Sequence, residues 1–203
     1  MFYKADQSHQ LAHNPFKAIV APRPIGWIST VSEEGVANLA PYSFFNAVCD
    51  VPPILMFSSG GVKDSLRNAV ATGEFTFNYV SRSMQDVMNV SSGGYPPEAD
   101  EFEIAGIDMV AGETVACPRV KGTPAALECK VIDTITPTAL DGSESPYLMV
   151  LGQVTGVFID DAMITDGRFD VEKADPLMRC GYRDYTGTDG LFELVRPAGA
   201  GGM

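Results

Sequence analysis

Long apolar runs, basic residues and the residue pairs that bind metals or activate nucleophiles are all scarce in this chain. No apolar run approaches the roughly 20 residues that span a bilayer, and the opening MFYKADQSHQ is too polar for a secretory signal. These features predict a cytoplasmic protein that does not engage membranes. Lys and Arg number 14 against 26 Asp and Glu, a formal charge of −12. Nucleic acid and anionic lipid both select a basic face, so neither is an expected partner. An anionic small molecule would need its cations gathered locally, which draws attention to Arg23, Lys63, Arg67, Arg179 and Arg183.

The four cysteines, Cys49, Cys117, Cys129 and Cys180, form no CxxC pair, and His9 and His13 are the only histidines. No metal site is expected, and the thiols read as reduced and mostly buried. G-x-S-x-G is missing, no cysteine stands near a histidine, and no carboxylate pair sits in an apolar surround. The G-x-G-x-x-G and Walker patterns are missing too. We therefore assign no catalytic side chain; an enzyme with this inventory takes its chemistry from a cofactor.

What is present is a globular composition, 45% apolar and 20% charged, over 203 residues. That suits one domain spanning 1–203, with a polar N-terminal arm over 1–17 and a glycine-rich tail expected to fray over 198–203. Strand patterns recur at 18–23, 25–31, 36–39, 54–57, 74–80, 126–136 and 147–159, with an acidic hairpin turn at Ser32-Glu33-Glu34-Gly35. Pro41 cannot donate to a ladder, which predicts a loop or edge over residues 42–46. Leu66, Ala69 and Val70 form one apolar helical face, with Asp64 or Ser65 as N-cap and Gly73 just past the end. The expected class is mainly β with a few short helices.

Two stretches carry candidate ligand chemistry. Ser58 to Ser65 offers hydroxyls at Ser58, Ser59 and Ser65, two glycines, Lys63 and a following helix N-terminus, the components of a phosphate cradle. The same stretch also reads as an exposed turn before an ordinary helix. Arg23 to Val48 holds the only tryptophan, Trp27, followed by Asn38 to Ser43, a mixed donor and acceptor lining of the kind a flavin pyrimidine edge requires. A lone tryptophan in an apolar strand is also a common core residue.

PRPIGWIST (22–30), NLAPYSFFN (38–46), PP-ILMFSS (52–59), KDSLRN (63–68), TGEFTFN (72–78), DEFEIAG (100–106), ALECKV (126–131) and FELVRP (192–197) occur in order along the chain. As a set they resemble the flavin reductase-like family, the FMN-binding split barrels that include flavoredoxin. The resemblance implies a six-stranded Greek-key split β-barrel, non-covalent FMN, and a homodimer with the flavin near the subunit interface. Carried onto this sequence, Trp27, Ser29, Thr30, Asn38, Leu39, Ala40, Pro41, Tyr42 and Ser43 would line the ring and ribityl chain. Ser58, Ser59, Lys63, Asp64 and Ser65 would hold the phosphate, Asp64 as a helix cap or ribityl partner because a carboxylate repels phosphate. The activity implied is transfer of electrons from NAD(P)H through FMN to flavin, a metal complex or a protein acceptor. The alternatives are an electron carrier without NAD(P)H turnover, and a split barrel that binds another cofactor or acts as an interaction module. One departure is Phe158, where many relatives carry a histidine.

Overall fold

The computed structural model describes residues 1–195 and 197. The tail expected to fray at 198–203, and Arg196 of the FELVRP match, lie outside the described residues.

Residues 1–15 form turns and bends, and α1 (Phe16–Ile19) is a single helical turn. The strand expected over 18–23 is therefore confined to β1 (Arg23–Pro24). The Pro15 carbonyl accepts both the Ala18 and Ile19 N–H groups at 2.9 Å, which closes a helical turn where alternation suggested a strand.

β2 (Gly26–Val31) and β3 (Ala37–Tyr42) form the expected hairpin, with Gly35 at φ 87 in its turn. Pairing does not loosen at Pro41. The register runs through Trp27↔Pro41 to Gly26↔Tyr42. β3 is an edge strand, where a missing N–H need cost no ladder bond. The loop expected over 42–46 shrinks to a bend at Ser43-Phe44, after which β4 (Phe45–Asp50) pairs with β5 (Pro53–Gly60). β5 runs farther than its apolar core predicts and carries Ser58 and Ser59 as strand residues.

α2 (Asp64–Thr72) ends at Gly73, left-handed at φ 74 as expected, but its N-cap is Lys63 rather than Asp64 or Ser65. β6 (Glu74–Asn78) leads through α3 (Gln85–Val90) to α4 (Glu101–Ala105), which Asp100 caps by accepting from the Phe102 N–H at 2.8 Å. A small ribbon of β7 (Met109–Val110) and β8 (Arg119–Val120) precedes the longest pair, β9 (Ala125–Ile135) and β10 (Tyr147–Ile159). The chain closes with β11 (Ile164–Thr165), β12 (Arg168–Phe169), α5 (Val171–Ala174), β13 (Met178–Gly181) and β14 (Asp184–Thr186).

The main sheet is antiparallel in the order β3-β2-β6-β9-β10-β5-β4 and curls into the expected split barrel. It has seven strands, against the six the resemblance implies. One core cluster packs Leu66 and Ala69 of α2 against Ile28, Phe57, Phe75 and Val150 of the sheet. A second joins Trp27 and Leu39 to Met88, Phe102 and Val120. Gly152 of β10 permits this packing, since a Cβ there would lie 2.3 Å from the Phe75 ring. No helix among the described residues is long and apolar enough to cross a membrane.

Candidate functional site

A cavity of about 640 Å³ opens between β3, the end of β5 and the start of α2. Its lining includes Asn38, Ala40, Pro41, Tyr42 and Ser43 on one side and Ser58, Gly60, Lys63, Asp64 and Ser65 on the other. The two stretches singled out in the sequence thus face a single space. Lys17, Phe44, Arg67, Glu101, Tyr147 and residues 91–95 are also among its walls.

Five expected ligand residues do not line it. Trp27 is fully buried and donates from Nε1 to Ser91 Oγ at 2.9 Å. Ser29 and Thr30 are fully buried as well; the Ser29 hydroxyl reaches the Thr76 carbonyl at 3.4 Å, and Thr30 Oγ1 reaches Asn38 Oδ1 at 3.4 Å. The cause is the position of β2, paired on both edges and covered on both faces, so inward and outward side chains alike are sequestered. The Leu39 side chain joins the second core cluster, and buried Ser59 donates to the Gly61 carbonyl at 2.9 Å.

Asn38 is held from both ends. Its Nδ2 donates to both Glu101 oxygens at 3.0 and 2.9 Å, and its Oδ1 accepts from Ser65 Oγ at 2.6 Å. Glu101 also accepts the Leu39 N–H at 3.1 Å. Glu101 is only 4% exposed, and burial raises its pKa above the usual carboxylate value. Tyr42 is 8% exposed; burial raises its pKa against the opposing pull of the nearby Ser65 and Ser59 hydroxyls, and its Oη makes no hydrogen bond of good geometry among the described residues. Buried polar atoms are almost always satisfied, so an orphan on a cavity wall points to a ligand atom.

At the other side, the first turn of α2 presents its backbone N–H groups without a side-chain cap. Lys63 stands at that terminus, and Gly61 takes φ 80, open to glycine. Asp64 is not the cap; it pairs with Arg67, which offsets its charge near an anion. This is a donor-rich, cationic corner suited to a phosphate.

The 91–95 wall escaped the sequence reading, although Ser91-Ser92-Gly93-Gly94 repeats the hydroxyl and glycine composition of Ser58 to Gly61. Phe158 lies outside the cavity lining, its ring 4.0 Å below the Arg119 guanidinium. Among the described residues nothing in the cavity resembles an activated nucleophile. Cys117 is buried, and burial pushes its thiol up to about 12, while the described residues contain no cluster of three metal ligands.

A model of the family described as "Flavin reductase like domain" matches residues 20–178. An uncharacterised protein of Deinococcus radiodurans is 38% identical over 192 residues, which cover 88% of this chain and 82% of that protein. Among solved structures, nitrilotriacetate monooxygenase component B from Bacillus cereus superposes with a TM-score of 0.86 at 27% identity, covering 96% of this chain and 98% of its own. The 2-nitrobenzoate 2-nitroreductase of Pseudomonas fluorescens gives a TM-score of 0.83 at 25% identity, with 100% and 98% covered.

Proposed function

We propose that this chain, which belongs to the flavin reductase-like family, is an oxidoreductase that holds FMN non-covalently in the large cavity and takes reducing equivalents from NAD(P)H. The observation that carries the reading is the orphan Tyr42 hydroxyl in the same cavity as the uncapped, Lys63-bearing terminus of α2. The cavity brings that hydroxyl close to the donors and positive charge of the α2 terminus, with the Ser65 and Ser59 side chains beside it, and the phosphorylated chain of FMN needs such donors. When bound, FMN supplies hydride acceptance and onward electron transfer.

The protein's own part is binding and orientation. Lys63, Ser58 and the first-turn N–H groups of α2 would hold the phosphate by charge-assisted bonds, while the Ser65 hydroxyl is spent on Asn38 Oδ1 and ties that terminus to β3. Asn38, its amide fully engaged by Glu101, Ser65 and Thr30, locks the β3 wall against α2 and α4, and Tyr42 contributes a polar group to that wall. Ala40, Pro41 and Phe44 give the cavity apolar wall. No side chain here serves as acid or base, so positioning is the catalytic contribution. The electrons would pass to a small molecule or a protein. We also propose a homodimer, supported by exposed Val48 and Val51 along and beyond the β4 edge.

A second reading, an electron carrier reduced by a protein partner, is favoured by Phe158 lying beneath Arg119 where relatives often carry a histidine. Mixing FMN-loaded protein anaerobically with NADH and with NADPH separates the two. The reductase bleaches with at least one; a protein that stays yellow with both is the carrier.

A further inference from the structure

We propose that a second cavity, about 300 Å³ in volume and adjoining the first, is a carboxylate site that seats the acid group of a small planar organic acid. β1 and β13 pair antiparallel with Arg23 directly opposite Arg179. Like charges facing each other across a ladder are destabilising, so this pair is a local conflict of the kind found where a ligand supplies the missing countercharge. Lys17 adds a third cation to the same lining.

Among the described residues no aspartate or glutamate lines this cavity. Among the described residues the ion pairs engage Arg67, Arg82, Lys121 and Lys130, and none engages Lys17, Arg23 or Arg179. In a chain with a formal charge of −12, three cations lining one cavity without a carboxylate are out of keeping with the composition.

Arg23 is only 7% exposed. One terminal nitrogen donates to the backbone carbonyls of Lys17, Val20 and Cys180, while the buried Nε has no acceptor among the described residues. A buried guanidinium nitrogen without an acceptor beside a cavity is the mark of a built anion site. Arg179 donates to the Tyr185 hydroxyl and the Tyr182 carbonyl, neither of which carries a countercharge, and its planar guanidinium keeps further N–H groups that suit a carboxylate. The remaining walls fit a flat body: the Tyr185 ring lies 4.4 Å from the Arg179 guanidinium carbon, and buried Ile25 and Met88 supply apolar surface.

The two cavities share Lys17, Pro41, Ser43 and Ser92. An acid seated in the second therefore lies beside whatever fills the first. Its role as an electron acceptor rests on the flavin reading above, whereas the carboxylate site itself does not.

Calorimetric titration of the FMN-loaded protein with benzoate, benzyl alcohol and inorganic phosphate tests the site, with the flavin spectrum recorded on the same sample. Benzoate is expected to bind and benzyl alcohol not to. Arg179→Ala should weaken benzoate about tenfold or more, the loss typical of a charge-assisted bond. Arg179→Lys should fall between the two. Arg179 is the residue to replace because Arg23 holds three backbone carbonyls, against the single Tyr182 carbonyl that Arg179 holds. Equal binding of benzoate by wild type and Arg179→Ala, or phosphate binding in place of benzoate, overturns the proposal. A yellow protein that binds no benzoate overturns this inference alone; a colourless one that binds benzoate through Arg179 overturns the flavin reading alone.

Discussion

Replacing Asn38 with aspartate is a nearly isosteric change that sets a carboxylate where an amide now donates to Glu101 at 2.9 to 3.0 Å. Two ionised carboxylates at that distance repel by about 5 kcal/mol at an effective dielectric of about 20. Protonating one of them is the alternative. With an unperturbed carboxyl value of 4.5, holding a proton at pH 7 costs about 3.4 kcal/mol, that is 2.5 pH units at about 1.36 kcal/mol each. The cheaper route prevails, so Asn38→Asp should lose about 3 kcal/mol at pH 7. At pH 5 the proton costs only about 0.7 kcal/mol, and the shared proton restores a hydrogen bond across the pair. The sign follows from linkage: a carboxyl whose folded pKa is raised keeps a proton that the unfolded chain has released. Its stabilisation is present below about 4.5 and is lost as pH rises toward the folded value. Wild-type Glu101, already raised by burial, shows the same trend more weakly. Urea unfolding of both proteins at pH 5 and pH 7 measures the effect. An equal loss at both pH values would refute a buried carboxyl pair at this position.

Two further outcomes test how the site was assigned. Tyr42→Phe removes a hydroxyl that has no partner, so the flavin-free variant should unfold at the same or a higher urea concentration, yet bind FMN about 2- to 12-fold more weakly, as for one neutral hydrogen bond. Trp27→Phe deletes the bond to Ser91 and leaves space in the second core cluster. It should cost about 1 to 3 kcal/mol in urea unfolding, with FMN affinity within about twofold of wild type on fluorescence titration because Trp27 acts as core.

The sequence was most readable where one periodicity had no competitor. The long alternating segments that became β9 and β10, and the α2 helix ending at Gly73, formed close to where they were expected. Pro41 misled because a proline's cost depends on whether its strand is an edge, and strand order is a tertiary property. Trp27, Ser29 and Thr30 misled for a related reason. They were chosen for chemistry, and their burial follows from β6 pairing along the other side of β2, a contact about fifty residues away in the chain. Conversely, that Asn38, Tyr42, Ser58, Lys63 and Ser65 share one cavity was foreshadowed because donors, hydroxyls and glycines cluster within short stretches. Glu101 was not, since its only local role is to begin a short helix and its partner lies 63 residues earlier.

The central claim is that the α2 terminus and the β3 wall together bind FMN, and fluorescence titration of flavin-free protein with FMN tests it most directly. The account predicts saturable quenching in the wild type and an affinity about 10- to 150-fold lower in Lys63→Ala, the range for one charge-assisted bond. Absence of saturable binding by wild type, or equal affinity in Lys63→Ala, would contradict it.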